Sequence, residues 1–309
     1  MDALILAAGR GSRLAESTPK CLVEVGGRPL LSHQLDAAKA AGARRVMLVT
    51  GHGHDLVRAV VGDRAEIVRN ARYAETNSVY SFWLARRRMH GDLLVMNCDV
   101  LFPHYVLRGL LHRGSALAFD SRSGVSREHM KVSVEDGRLV EMSKELPSAK
   151  TDGENLGLLH LTEEVARAAF DTAGQLISRG HEREWLGSAI NVVARLHPIA
   201  CVDVAGIPWV EIDYPHDLDE ARTEIWPAIA RLRSRSAEFR ALGRPRWDPA
   251  VRPVLDADVA ALLLGVGKRA ENDEHHGALG DLEGAGHRPA EEIGAHHVGG
   301  ADEHRQHRE

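Results

Sequence analysis

Residues 9–13, Gly-Arg-Gly-Ser-Arg, follow an apolar run at residues 3–8 and precede Pro19-Lys20. Two glycines let backbone approach a ligand closely and expose N–H groups, an arrangement suited to phosphate oxygens. Arg10, Arg13 and Lys20 add cations within the same short loop, so the stretch reads as a polyphosphate cradle. Acids that could work with it lie further on. Asp99 directly follows an apolar strand pattern at residues 92–97. Glu211 and Asp213 sit in Trp209-Val210-Glu211-Ile212-Asp213, where strand alternation puts both carboxylates on one face. Two such acids repel unless a cation or solvent lies between them.

Other readings of the glycine loop fit less well. A dinucleotide-binding turn needs a third glycine, an immediate helix and an acid about twenty residues on. Here Leu14 holds the third position, and the first helical pattern starts near Pro29. The G-x-x-x-x-G-K-[ST] phosphate loop is absent. A surface turn with solvated arginines accounts for any one of these residues, but not for the assembled stretch. For Asp99 the plain alternative is a cap on the next helix.

The elements that must position these residues alternate. Strand patterns at residues 3–8, 45–50, 65–69 and 92–97 are separated by helical patterns at about 29–42, 55–61 and 79–88, and another helix follows at 103–112. This predicts an α/β, doubly wound and mostly parallel sheet. Ligands of such sheets sit at the carboxyl ends of the strands, where Gly9, Asn70 and Asp99 all fall. From residue 115 the pattern becomes mixed. Strands are expected at 117–119, 156–161 and 199–204, a hairpin at 131–142 around Asp136-Gly137, and helices at 163–170, 184–196 and 216–233. This half is expected to be mixed α+β. The expected organisation is a domain at 1–233, a helical extension at 234–266, and a disordered Gly/His/acidic tail at 267–309, whose composition cannot offset its ordering entropy.

Bulk properties narrow the class. A chain of 309 residues that is 44% hydrophobic can bury a large core. A net charge of −5 argues against a general nucleic-acid binder. Cys21, Cys98 and Cys201 lie far apart without metal-ligand spacing, so a reducing cytoplasm is the expectation. No signal peptide is read at the N-terminus, and no apolar run approaches a bilayer span, so a soluble protein is expected.

Leu6-Ala7-Ala8-Gly9-x-Gly11-x-Arg13-Leu14, followed by Pro19-Lys20, resembles the opening of the nucleotidyltransferases that make nucleoside-diphosphate sugars and CDP-alcohols. The likeness extends over roughly residues 1–225. It implies a Rossmann-like fold whose mixed α+β half is an acceptor-binding part and whose first loop wraps a nucleoside triphosphate, with Leu6, Ala8, Gly9 and Gly11 along the nucleotide and Arg13 and Lys20 as phosphate-binding, catalytic cations. It also implies Mg2+, held by Asp99 together with Glu211 and Asp213; the Glu-Ile-Asp-x-Pro-x-Asp-Leu run looks like the second metal-binding segment of the choline-phosphate branch. Asp217 in that run is read as a helix-start residue. Residues 70–85, NARYAETNSVYSFWLA, resemble the base- and ribose-contacting segment of phosphocholine cytidylyltransferases. That puts Asn70, Asn77 and Ser78 at the nucleoside and points to CTP rather than UTP or dTTP.

The implied reaction is attack by a phosphate or phosphonate oxygen on the α-phosphorus, with pyrophosphate leaving. The acceptor would be phosphocholine or a related small phosphate or phosphonate. Lys131 and Lys144 are candidates for its phosphate, and Glu154 for a cationic head or hydroxyl. A quaternary ammonium wants an aromatic cage, for which Trp185, Trp209 and Tyr214 lie in the right half. The alternatives are a sugar-1-phosphate nucleotidylyltransferase and a non-catalytic nucleotide-binding regulatory protein. Nucleic acid and membrane are not expected partners, and self-association is left open.

Overall fold

Asp2–Ala7 forms the first strand, β1, and all six of its residues are buried. Its side chains alternate between two cores. Leu4, Leu6 and the following Ala8 belong to one, and Ala3, Ile5 and Ala7 to the other. An element buried on both faces needs helices above and below it, and the chain supplies three for each. The computed structural model describes residues 1–232 apart from 12, 15–17 and 125. The helical extension and tail expected at 234–309 lie outside the described residues.

Strands β2 (Val46–Thr50), β3 (Glu66–Arg69) and β4 (Leu93–Asn97) join β1 in the parallel order β3-β2-β1-β4. Helices α1 (Leu30–Ala40), α2 (His54–Val61) and α4 (Tyr105–Leu111) pack on one face through Leu31, Leu35, Val57, Val106 and Leu110. Helices α3 (Ser78–Leu84), α5 (Glu163–Ser178) and α6 (Leu186–Ala194) pack on the other through Phe82, Val165, Ala169 and Ile190. The expected doubly wound half is therefore present, and its four carboxyl ends form one rim.

The mixed half continues the same sheet. It contains β5 (Ala116–Asp120), the hairpin β6 (Lys131–Glu135) and β7 (Arg138–Ser143), the long β8 (Gly153–Leu161), and β9 (Ala200–Asp203). The full order is β3-β2-β1-β4-β8-β5-β9-β7-β6, and β6 returns to pair with β8. Five strands thus close on one another beside the parallel half. Strand β8 serves both halves. Its Leu158–Leu161 end pairs with β4, while Gly153 and Glu154, beyond the end of β4, pair with β6. At this fork Gly157 has φ +71°, and a side chain there would collide with Asn97. The fork leaves a gap at the rim, and the cleft described below occupies it.

Three boundaries differ from expectation. Helix α5 continues to Ser178 because Val165, Ala169 and Ala173 extend one buried stripe at helical spacing. Helix α3 stops at Leu84, and residues 85–88 tighten into i→i+3 turns. The helix expected at 216–233 begins as α7, Pro215–Glu220, and passes into a π-helical turn at Ala221–Ile225. Among the described residues, no helix is long and apolar enough to cross a membrane.

Candidate functional site

The glycine loop leaves the rim directly after β1. Leu6, Ala8, Gly9, Gly11, Arg13 and Lys20 all line a cleft of about 430 Å³. Gly11 has φ +61°, and a Cβ there would lie 2.8 Å from the Lys20 Cβ, so only glycine lets the loop pass this close. Lys20 opens a 3₁₀ turn at Lys20–Leu22, with neighbouring Cys21 buried, and its side chain is 10% exposed. Arg13 is half exposed. It pairs with Glu128 and lies 3.9 Å from Asp213 and 5.4 Å over the Tyr214 ring.

The acids form the facing wall. Asp99 follows β4. Val100–Leu101 pairs antiparallel with Val210–Glu211, and the Ile212 N–H donates to the Asp99 carbonyl at 2.9 Å. This long-range pairing brings Asp99, Glu211 and Asp213 together, with one carboxylate oxygen of each within 4.8 Å of the others. Asp217 accepts the backbone N–H groups of Asp213 at 2.8 Å and Tyr214 at 2.7 Å, fixing the segment at the start of α7. Lys20 Nζ donates to Asp99 at 2.9 Å and also to Asp213. Burial disfavours its charge, but Asp99 and Asp213 outweigh that and hold the ammonium above the ordinary lysine pKa. Burial, followed by the charges of Asp99 and Asp213, pushes Glu211 up to about 8. The Asp99 Oδ1 atom is buried with no hydrogen-bond partner among the described residues. Three crowded carboxylates, one held at high pKa and one with an orphaned oxygen, are a donor set that fits a hard divalent cation.

The 70–78 segment lines the same cleft. Asn70 is 1% exposed and braces the segment: its amide donates to Thr76 and Ser81, both at 3.1 Å, and its oxygen accepts the Arg72 N–H. Asn77 caps α3 by accepting the Ser78 N–H at 2.8 Å. The Ser78 Oγ accepts the Leu186 N–H at 2.8 Å, which ties α3 to α6 and leaves its hydroxyl proton available.

The far end of the cleft separates the three acceptor candidates. Lys144 lines it, with Nζ 4.6 Å over the exposed Trp185 ring. Lys131 and Glu154 are not among the lining residues. Lys131 is buried and donates to the Lys144 carbonyl. Glu154 is 4% exposed, accepts a hydrogen bond from the Ser123 hydroxyl, and lies 3.1 Å from His129. Burial raises its pKa, with Ser123 and His129 pulling it back. The reason is strand parity: Asn155, Gly157 and Leu159 of β8 face the cleft, so Glu154 faces away. Likewise Met130 lines the cleft and its neighbour Lys131 does not.

Asn155 was missed by the residue reading, although the alternation of 153–161 could have found it once one member was placed. Its Oδ1 is buried without a partner among the described residues. Glu128 lies in a loop with no periodicity and carries no comparable signal. Of the three cage candidates, Trp185 lines the cleft, while Trp209 is tied to Asp120 at 2.8 Å and Tyr214 to Glu128 at 3.0 Å.

A Gly loop with cations at the end of the first parallel strand, opposite a three-acid cluster, defines a nucleoside-triphosphate-using transferase architecture. Residues 3–155 match the MobA-like NTP transferase domain, and the chain belongs to the nucleotidyltransferases. A bifunctional IPC transferase and DIPP synthase of Aquifex aeolicus is 29% identical over 230 residues, which cover 71% of this chain and 50% of that one. A CMP-5'-(3-aminopropyl)phosphonate synthase of Streptomyces rubellomurinus is 29% identical over 245 residues, covering 71% of this chain and 38% of that one. The chain therefore spans half or less of the length of these curated relatives. Its fold is similar to that of the inositol-1-phosphate CTP transferase of T. maritima, with a TM-score of 0.63, 22% identity, and coverage of 75% of this chain and 96% of that structure.

Proposed function

We propose that this protein transfers CMP from CTP to a small acceptor carrying a phosphate or phosphonate. An acceptor oxygen attacks the α-phosphorus, the bond to the β-phosphate breaks, and diphosphate leaves. The observation that carries this reading is the single cleft that holds the Arg13 and Lys20 cations on one wall and Asp99, Glu211 and Asp213 on the other. All reacting groups are anionic, so catalysis rests on alignment and charge stabilisation rather than covalent chemistry. In this reading Gly9 and Gly11 offer backbone to the triphosphate, Arg13 exchanges Glu128 for a phosphate, and Lys20 shifts from the acids toward the α-phosphate. Asp99, Glu211 and Asp213 would hold Mg2+, which when bound offsets the charge of the triphosphate. Asn77 and Ser78 present an amide and a hydroxyl to the nucleoside. The likeness to the CMP-5'-(3-aminopropyl)phosphonate synthase of Streptomyces rubellomurinus supports cytosine over other bases.

The acceptor end favours a phosphate or phosphonate whose organic group is uncharged and hydroxyl-bearing. Lys144 is the cation there for the acceptor phosphate, and the Asn155 Oδ1 atom awaits a donor such as a hydroxyl. A trimethylammonium group is less well served. Trp185 is the one aromatic lining this end among the described residues, Lys144 already sits over its ring, and Glu154 faces away. The test is diphosphate release with Mg2+ from CTP, UTP, ATP and GTP, against inositol 1-phosphate, glucose 1-phosphate, phosphocholine and 2-aminoethylphosphonate. Release with CTP and a hydroxyl-bearing acceptor is expected. A preference for UTP would overturn the base reading, and turnover confined to phosphocholine or the aminophosphonate would overturn the acceptor reading.

A further inference from the structure

Helix α1 buries an apolar stripe through Leu31, Leu35 and Ala38, and among these residues it also buries Gln34, which is 1% exposed. A buried amide is costly unless it is hydrogen-bonded. Both N–H groups of Gln34 are used. Nε2 donates to the Asn97 carbonyl at 2.6 Å and to the Val100 carbonyl at 3.0 Å. These two carbonyls bracket the turn that carries Asp99. The carbonyl of Asp99 itself accepts from Ile212, and Val100 pairs with Glu211. The carbonyls of residues 97, 99 and 100 are therefore all engaged, two by Gln34 and one by the segment that bears the other two acids. The Oε1 atom of Gln34 is left buried with no partner among the described residues. The amide is thus oriented entirely by what it donates to, with its acceptor side left unused.

We propose that Gln34 is a positioning residue for the divalent-cation site: by clamping the Asn97 and Val100 carbonyls it sets Asp99, and through the Val100–Glu211 pairing it sets the second acid. Gln34 touches neither substrate nor cation in this arrangement. The inference rests on the reading of Asp99, Glu211 and Asp213 as ligands.

The test is Mn2+ binding to the full-length protein without nucleotide, followed by loss of the free-Mn2+ electron paramagnetic resonance signal. Gln34→Met keeps volume and removes both donors, and Gln34→Asn keeps the amide but shortens it by one methylene. Losing an outer support of a metal ligand typically weakens affinity by about 10- to 100-fold, and that loss is expected for Gln34→Met. In turnover, the Mg2+ concentration for half-maximal rate should rise while the KM for CTP stays near the wild-type value, and excess Mg2+ should restore rate. A role confined to stability would lower the melting temperature and move neither metal measure. If Gln34→Met does not fold, Gln34→Asn decides by the same readings. A folded variant with wild-type Mn2+ affinity overturns the inference. Wild-type protein that binds no Mn2+ overturns instead the ligand reading on which it rests.

Discussion

Lys20→Met removes the cation that now holds the acid cluster together. Lys20 Nζ donates to Asp99 and Asp213, and Glu211 stands beside them. Methionine replaces most of the aliphatic stem, so the change is mainly electrostatic. Removing one partner of a buried ion pair costs roughly 3–5 kcal/mol because the other charge is left uncompensated. Asp99 and Asp213 keep 20% and 32% of their side-chain surface, so solvent offsets part of that cost. A net loss of about 2–3 kcal/mol is expected, or roughly 5–10 °C in Tm for a domain of this size. Thermal unfolding in EDTA measures it directly. Addition of Mg2+ should raise the variant's Tm more than that of the wild type, because the added cation takes over the charge that Lys20 supplied. Diphosphate release should fall by about 10²–10³-fold even with saturating Mg2+, the usual loss of one preorganised charge at a reacting phosphoryl group. A variant as stable as wild type in EDTA would refute the reasoning. So would a variant whose Tm shift with Mg2+ does not exceed that of the wild type.

Three further outcomes are expected. Because the Glu211 pKa is raised from 4.5 to about 8, its protonated form contributes stability that is full below about 4.5 and is lost as pH rises through about 8. A cation must displace that proton, so Mg2+ affinity should climb with pH up to about 8, with close to one proton released at pH 7; calorimetry in buffers of different ionisation enthalpy counts it, and an affinity flat from pH 6 to 8 contradicts it. Glu128→Ala should free Arg13 for the triphosphate and lower the KM for CTP; the pair is half exposed and worth at most about 1 kcal/mol, so the change should not exceed roughly fivefold. A chain ended at residue 266 should keep wild-type turnover, since every cleft-lining residue lies at or before Asp213, and an inactive truncation would show that the expected tail has a role.

The parallel half of the fold was legible because β1, β2 and β4 are apolar runs and a glycine, asparagine or aspartate ends or follows each of the four strands. A strand buried on both faces can hardly look otherwise, and the loop after β1 keeps its glycines and cations contiguous in the chain. The alternation of Glu211 and Asp213 likewise survives into three dimensions, although the strand there is only two residues long. What could not be read was parity. Glu154 and Asn155 are adjacent, both polar and both buried, and only the pairing of β8 with β4 and β6 decides which one meets the cleft. The closure of five strands on one another is equally non-local: Gly153 and Glu154 meet β6 about twenty residues upstream in a register that no local pattern encodes. Gln34 was hidden for a different reason. A polar residue within an amphipathic helix looks solvent-facing until something on the neighbouring element is found to need two donors.

The two walls of the cleft are built to different standards, and this bears on how the protein would handle its substrates. Asp99 and Glu211 stand on backbone that is hydrogen-bonded to Gln34, to Ile212 and across a strand pair, above a small core of Val23, Leu101, Val210 and Ile212. Opposite them, Arg13 is held by Glu128 and the Tyr214 ring, through contacts between half-exposed side chains of little net worth. A triphosphate entering this cleft can therefore exchange the partners of Arg13 at small cost, whereas displacing the acids would break several buried hydrogen bonds together. In the function proposed above, the acids would be preorganised for a cation, and reorganisation on binding would fall to the cationic loop and to the side chain of Lys20. Lys20 belongs to both walls. It arises from the loop, yet its ammonium donates to Asp99 and Asp213. In the function proposed above, binding of a divalent cation and release of Lys20 toward the triphosphate would be two sides of one exchange, which would couple metal and nucleotide without requiring any movement of the sheet.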